Sequence, residues 1–461
     1  MKHWPIRPIR QWLARRVSLK RAACSAVACG LFLPFNSLAL GQQGREPQAR
    51  RQAGGPNLQD ERAATVSLRE AAALLQAGKL DEAEPILRRV IASEPQSPDA
   101  HGLLGVILDR RGRAAEAERE YREALKLNPR AISALANLGV LLARTGRTAQ
   151  AIEAFESVLK LSPQHPQATF NLGIALYNSN RFEEAAARLE AASALAPGTA
   201  EPLYYLGLVA SARGDGEAAV RFWEKALAVR PRFPEVSFML GEELRKMRRI
   251  EESKQYYERA LAEDSTKVVY FIRLGGVYLL LKLPAQALET FERARGLFPS
   301  VAELNYFVGI SARAKGDYAL ADSSLRRMLA LQPDNFDALA QLGFVVGERG
   351  DYREAEALLR RAVALNDKHF YAHYDLGRLL VKEKRLEEAI PVLQRAAQLK
   401  PANASVHYQL FMAFSRLKRK EEAASELAIF KRLDAEGRTR KQADDDLEQV
   451  TNDEGGRMKD E

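Results

Sequence analysis

Cysteine is nearly missing from this 461-residue chain: Cys24 and Cys29 are the two it has, and both lie before residue 40. Beyond them there is no thiol, so neither a disulfide framework nor thiol chemistry is available there. Acidic residues are absent up to Glu46, whereas Lys2, Arg7, Arg10, Arg15, Arg16, Lys20 and Arg21 all fall in that stretch. These seven supply most of the formal net charge of +9 and leave about +2 for the rest, so the charge does not imply a nucleic-acid partner. Also lacking are a glycine loop that would cradle phosphate, a nucleophile elbow and a metal motif. His369 and His373 stand four residues apart and His407 follows His373 by 34, but no cysteine or clear carboxylate completes a ligand set. Polar packing between helices accounts for them, and no metal or cofactor is expected.

What the chain has in abundance is one unit repeated. Leu104-Gly105, Leu138-Gly139, Leu172-Gly173, Leu206-Gly207, Leu240-Gly241, Leu274-Gly275, Val308-Gly309, Leu342-Gly343 and Leu376-Gly377 follow one another at a constant 34 residues. Twelve residues after each glycine stands a small residue, from Ala117 and Ala151 to Ala355 and Ala389, with Ser253 the one serine. Prolines recur at Pro129, Pro163, Pro197, Pro231, Pro299, Pro333 and Pro401, and Ser265 and Asp367 are the departures. Within a unit, Leu135, Leu138, Leu141 and Leu142 lay one apolar stripe, and Ile152, Phe155, Val158 and Leu159 lay another, each at helical spacing. Two amphipathic helices follow. Gly146 between them can take a positive φ, Pro163 stops the second, and Gly139 and Ala151 let the two axes approach. Such a hairpin cannot cover its own apolar faces and needs neighbours.

This pattern resembles the tetratricopeptide repeat (TPR) family. The resemblance implies an all-α, right-handed superhelical solenoid of antiparallel helix pairs, with 11 repeats over residues 64–437. The inter-helix turn is expected to need a left-handed residue at Gly78, Gly112, Gly146, Gly214, Gly316 and Gly350, and also at Asn180, Arg248, Lys282, Lys384 and Lys418, at a cost of about 1 kcal/mol for each long side chain.

Ahead of the repeats, the basic residues, the apolar run 22–35 and the small residues Ser37 and Ala39 form an export signal over residues 1–39. Cleavage after Ala39 would release the protein to the periplasm or beyond. Uncleaved, the segment would anchor it to the inner membrane. Arg15-Arg16 leaves the twin-arginine and general routes both open. Residues 40–63, rich in Gln, Gly, Arg and Pro, read as a disordered linker, and residues 438–461 as a charged tail in the form of a fraying helix or coil.

Almost all of the chain is consumed by hairpins, which leaves no room for a catalytic domain and points to a non-enzymatic scaffold. The resemblance places repeat positions 2, 5, 6, 9, 12 and 13 on the concave wall. Aromatics recur at position 5 as Phe170, Tyr204, Phe238, Tyr306, Tyr374 and Tyr408, and Asn137 and Asn171 stand at position 6. Asparagine pairs backbone amides without demanding a sequence, so these eight residues are the expected protein-binding set. The partner is a peptide or protein, with no nucleic acid and no small-molecule substrate indicated. A structural component of a secretion or polysaccharide-export assembly at a membrane is the competing reading.

Overall fold

The computed structural model of the chain describes residues 58–457 in backbone and 65–439 in side chains. The expected export signal and most of the expected linker lie outside the described residues. Twenty-two helices and no strand occur among the described residues. They make 11 hairpins, the number of the repeats.

The hairpin formed by α5 (Ile132–Arg144) and α6 (Thr148–Leu161) shows how the sequence builds each one. α5 is made of Leu, Ala and Val around Gly139, and it buries Leu138, Leu141 and Leu142 against Ile152, Phe155 and Val158 of α6. α5 ends because Gly146 takes φ 80°. That turn lets the Arg147 N–H donate to the Leu142 carbonyl at 2.9 Å, which satisfies an acceptor the helix end leaves open. All 11 turn positions expected to be left-handed are so: the six glycines have φ from 75° to 98°, and Asn180, Arg248, Lys282, Lys384 and Lys418 have φ from 59° to 66°.

The repeated glycine of the first helix meets a large side chain sixteen residues later. A Cβ on Gly139 would lie 2.6 Å from Phe155, on Gly207 2.2 Å from Trp223, on Gly275 2.4 Å from Phe291, and on Gly377 2.5 Å from Leu393. Phe155, Trp223 and Phe291 are wholly buried and have nowhere to move. The small residue twelve positions after the glycine has no exposed surface in any of the nine central repeats, Ser253 included. Its hydroxyl donates to the Ile250 carbonyl at 2.7 Å, which is how a serine is tolerated there.

The helices fall into two compact units that divide after Asp264, at the first place where the periodic proline is missing. The first contains α1 (Leu58–Gln76) through α12 (Ile250–Glu263), and α1 begins six residues ahead of the expected start of the repeats. The second contains α13 (Val268–Leu280) through α22 (Lys420–Arg457). α22 is one helix that runs through the stretch expected to be a fraying tail. Within each unit the first helices of successive hairpins touch one another, as α17 (Phe336–Glu348), α19 (Phe370–Lys382) and α21 (Ala404–Arg416) do, and they line one wall. Ion pairs stitch neighbouring hairpins: Arg147 to Glu118 at 2.7 Å in the first unit and Arg385 to Glu356 at 2.6 Å in the second. The arginine in each case holds its glutamate below the ordinary carboxylate range. Being partly solvated, such pairs set register more than they add stability.

Two alanine substitutions separate helix propensity from close packing. Gly102, in a first helix, has nothing within 4 Å of a Cβ, so Gly102→Ala should stabilise by about 0.5–1 kcal/mol. Gly139→Ala gains the same propensity but drives a methyl into Phe155, and it should destabilise by about 1–3 kcal/mol. Urea unfolding of the two variants should show opposite signs.

Candidate partner-binding site

Most of the expected binding set turns out to be core. Phe170, Tyr204, Phe238 and Tyr306 are 5%, 1%, 8% and 5% exposed, so their rings are unavailable to a partner. They pack in the seams between helices instead. Phe170 meets Tyr205 edge-on at 5.7 Å, Tyr204 meets Phe233 at 5.6 Å, Phe238 meets Tyr257 at 5.7 Å, and Tyr306 meets Phe307 at 5.9 Å. Burial pushes the Tyr306 hydroxyl well above its ordinary pKa, and it has no hydrogen-bond partner. Asn171 is wholly buried, and it accepts from Gln167 at 3.1 Å rather than facing a ligand. The aromatic ladder is thus corrected to an internal seam: Phe170 and Tyr204 reach the following hairpin, Phe238 packs on the second helix of its own, and Tyr306 is covered within its own unit. Asn137 and Tyr374 remain half-buried, and Tyr374 lies stacked on Phe370 at 5.9 Å. Tyr408, 40% exposed, is the one ring of the set that stands open.

The histidines have structural tasks. His369 Nδ1 accepts from the Ala372 N–H at 3.1 Å and so caps α19, while its Nε2 meets Asp337 at 3.0 Å. His407 bridges Glu426 at 2.6 Å and the Pro401 carbonyl at 2.9 Å, and His101 repeats this bridge with Glu120 and Pro95. His369 thus joins the start of its helix to the preceding hairpin, while His101 and His407 tie the loop ahead of their hairpins to the second helix.

Tyr408 marks the rim of a cavity of about 320 Å³ on the wall formed by α17, α19 and α21. Phe344, Leu379, Val381 and Met412 line it together with Leu359, Gly343 and Gly347, and a Cβ on Gly347 would come within 3.3 Å of Ala355. Polar groups converge on these apolar walls. Arg378 donates to Glu348 at 3.0 Å and lies 4.9 Å from the centre of the Phe344 ring, while Arg313 lies 4.5 Å from the same ring. Arg416 donates to the Val381 carbonyl at 3.0 Å, and its exposed head stands at the rim with that of Lys382.

Asp375 is the unusual member. It is 9% exposed, and its one ionic neighbour among the described residues is Arg378 Nε at 3.8 Å, beyond hydrogen-bond reach. Burial, opposed by Arg378 and Arg313, pushes its carboxyl up to about 6. A carboxylate left without donors in an apolar cavity is characteristic of a binding site rather than of a core. The sequence carried a signal for this cavity: position 9 changes from Val140, Ile174 and Leu208 to Phe344, Arg378 and Met412, and Gly347 interrupts position 12.

Family profiles described as tetratricopeptide repeat match residues 68–132, 108–166, 238–302, 283–336 and 346–404, and two further such profiles match 142–211 and 200–225. The chain belongs to the tetratricopeptide repeat family. Among solved structures, PilF of Pseudomonas aeruginosa is 25% identical over 46% of this chain and 96% of its own, with a TM-score of 0.40. A tetratricopeptide repeat protein of Parabacteroides merdae is 18% identical over 54% and 99%, with a TM-score of 0.42. The Cut9–Hcn1 structure of the APC/C is 14% identical over 81% and 95%, with a TM-score of 0.43. No curated protein matches the chain. TPR arrays mediate protein–protein interaction and are typically non-catalytic.

In this TPR protein the buried charge has a measurable cost. A carboxyl whose folded pKa is raised binds its proton preferentially in the folded state. The penalty is therefore full above pH 6 and is relieved as the pH falls toward the unfolded value near 4. Asp375→Asn should accordingly raise stability by on the order of 2–3 kcal/mol at pH 7.5 and by almost nothing at pH 4. Thermal melts of both proteins across this range check it.

Proposed function

We propose that the protein is an exported, non-enzymatic scaffold that holds a segment of a partner protein against the first helices of its second unit, with the cavity beside Asp375 as the anchor point. The observation that carries this reading is the coincidence of an open apolar cavity, an exposed Tyr408 and a buried carboxylate lacking a donor on one wall. A volume of about 320 Å³ sits at the lower limit of ligand sites, and it suits one anchoring side chain better than a cofactor. Export is supported by the basic, apolar and small-residue order of residues 1–39, and a membrane anchor from the uncleaved segment is the variant of that reading. No helix among the described residues is long and apolar enough to cross a membrane.

A second reading, a structural part of an envelope secretion or export assembly, is favoured by a different surface. Leu297, Leu331 and Leu365 occupy one register at the ends of three successive second helices and are 52%, 60% and 43% exposed. Affinity capture with the full chain from envelope extracts decides between the two. Met412→Glu places a charge in the cavity, whereas Leu331→Glu places one on the exposed row. Anchoring in the cavity predicts that the first variant loses its partner by tenfold or more and that the second keeps it. The opposite pattern supports the assembly reading.

A further inference from the structure

The chemistry of the cavity restricts what can fill it. Its walls combine the apolar Phe344, Leu379, Val381 and Met412 with charged side chains, so the body of the occupant must be largely apolar. Among its lining groups the Asp375 carboxylate is mostly buried, its one ion pair among the described residues is to Arg378 at 3.8 Å, and when ionised it only accepts. A purely aliphatic or phenyl side chain would leave that carboxylate unbonded and cut off from water. An amide or carboxylate side chain would bring its own oxygens against it. A lysine or arginine would add a full positive charge to a lining whose three cations, Arg378, Lys382 and Arg416, already outnumber its two carboxylates, Glu348 and Asp375, with Arg313 behind Phe344. An indole escapes all three objections: it is large, apolar over most of its surface, and a donor with no acceptor.

We propose that the cavity between α17, α19 and α21 is a tryptophan subsite, in which the indole N–H of a partner segment donates to Asp375 while the ring packs between Phe344, Leu379 and Met412. The inference rests on the groove reading above and names its anchor. Lys382 and Arg416 are exposed lining residues, with Lys382 Nζ 4.7 Å from the centre of the Tyr352 ring and Arg416 donating to the Val381 carbonyl, and their positive charge favours acidic residues flanking the tryptophan. The face of the indole also lies within reach of the Arg378 guanidinium, which already sits against Phe344. The sign of the pH dependence follows. Donation stabilises the ionised carboxyl, so binding weakens as the pH falls through about 6. The charged and titratable groups facing Asp375 are Arg378 and His369 on its own helix, Glu348 from α17 and Arg313 from α15 (Glu303–Lys315). Lys382 and Arg416 share its cavity.

The probe is a blocked pentapeptide with glutamate at each end and a central tryptophan, compared with its benzothienylalanine twin, in which sulfur replaces the N–H at nearly the same shape. Isothermal titration of the full chain should show the tryptophan peptide preferred by about tenfold at pH 7.5, which is the scale of one hydrogen bond to a charged group. The preference should shrink below about threefold at pH 5, and Asp375→Asn should lose the pH dependence, which separates Asp375 from His369. Equal affinity of the two peptides at pH 7.5, or a preference whose pH dependence persists in Asp375→Asn, would overturn the inference. So would failure of both peptides to bind, and the groove reading would then stand or fall separately on partner capture by Met412→Glu.

Discussion

The close approach of the two helices in each hairpin is the constraint from which the rest follows. A glycine in the first helix is pressed by a ring or leucine of the second, in nine successive repeats from Gly105 with Tyr121 to Gly377 with Leu393. Because the large residue occupies the space a Cβ would take, it fixes both the distance and the rotation of the pair. With that settled, the remaining apolar residues of each hairpin face its neighbours, and the stack propagates through nearest-neighbour contacts. The inner wall exists because the first helices lie close enough to touch.

The fold was legible in the sequence almost completely, for a physical reason. A contact that admits only glycine, a turn that admits a left-handed residue and a buried alanine are strict local demands, and they recur at a fixed period. Even the awkward turn residues Arg248, Lys282, Lys384 and Lys418 were identifiable from phase alone. The binding wall was legible only in part. Repeat phase states which way a side chain leaves the helix, but not what will cover it, and the rings of Phe170, Tyr204, Phe238 and Tyr306 are covered. Tyr408 escapes because it belongs to the last hairpin among the described residues, where Phe411 and Phe430 replace small residues and pack on its ring. The cavity is lined by Gly347 and by Phe344, Arg378 and Met412 at position 9, which are departures from the repeat rather than features of it.

The site also shows a tension between stability and use. Asp375 would be cheaper to the fold as an amide, since burial disfavours its charge and Arg378 is committed elsewhere, to Glu348. A repeat array has ample stability to carry one such group, because its strain is confined to neighbouring hairpins. What the chain gains is a preformed, mostly buried acceptor, where a donor from a partner is worth more than it would be in water.

Hydrogen exchange on the full chain, with and without its captured partner, tests the central claim most directly, since it reports which backbone segments the partner steadies. Slowed exchange concentrated in α17, α19 and α21 is the expected result. Slowed exchange confined to the second helices that carry Leu297, Leu331 and Leu365, with α19 unchanged, would contradict it.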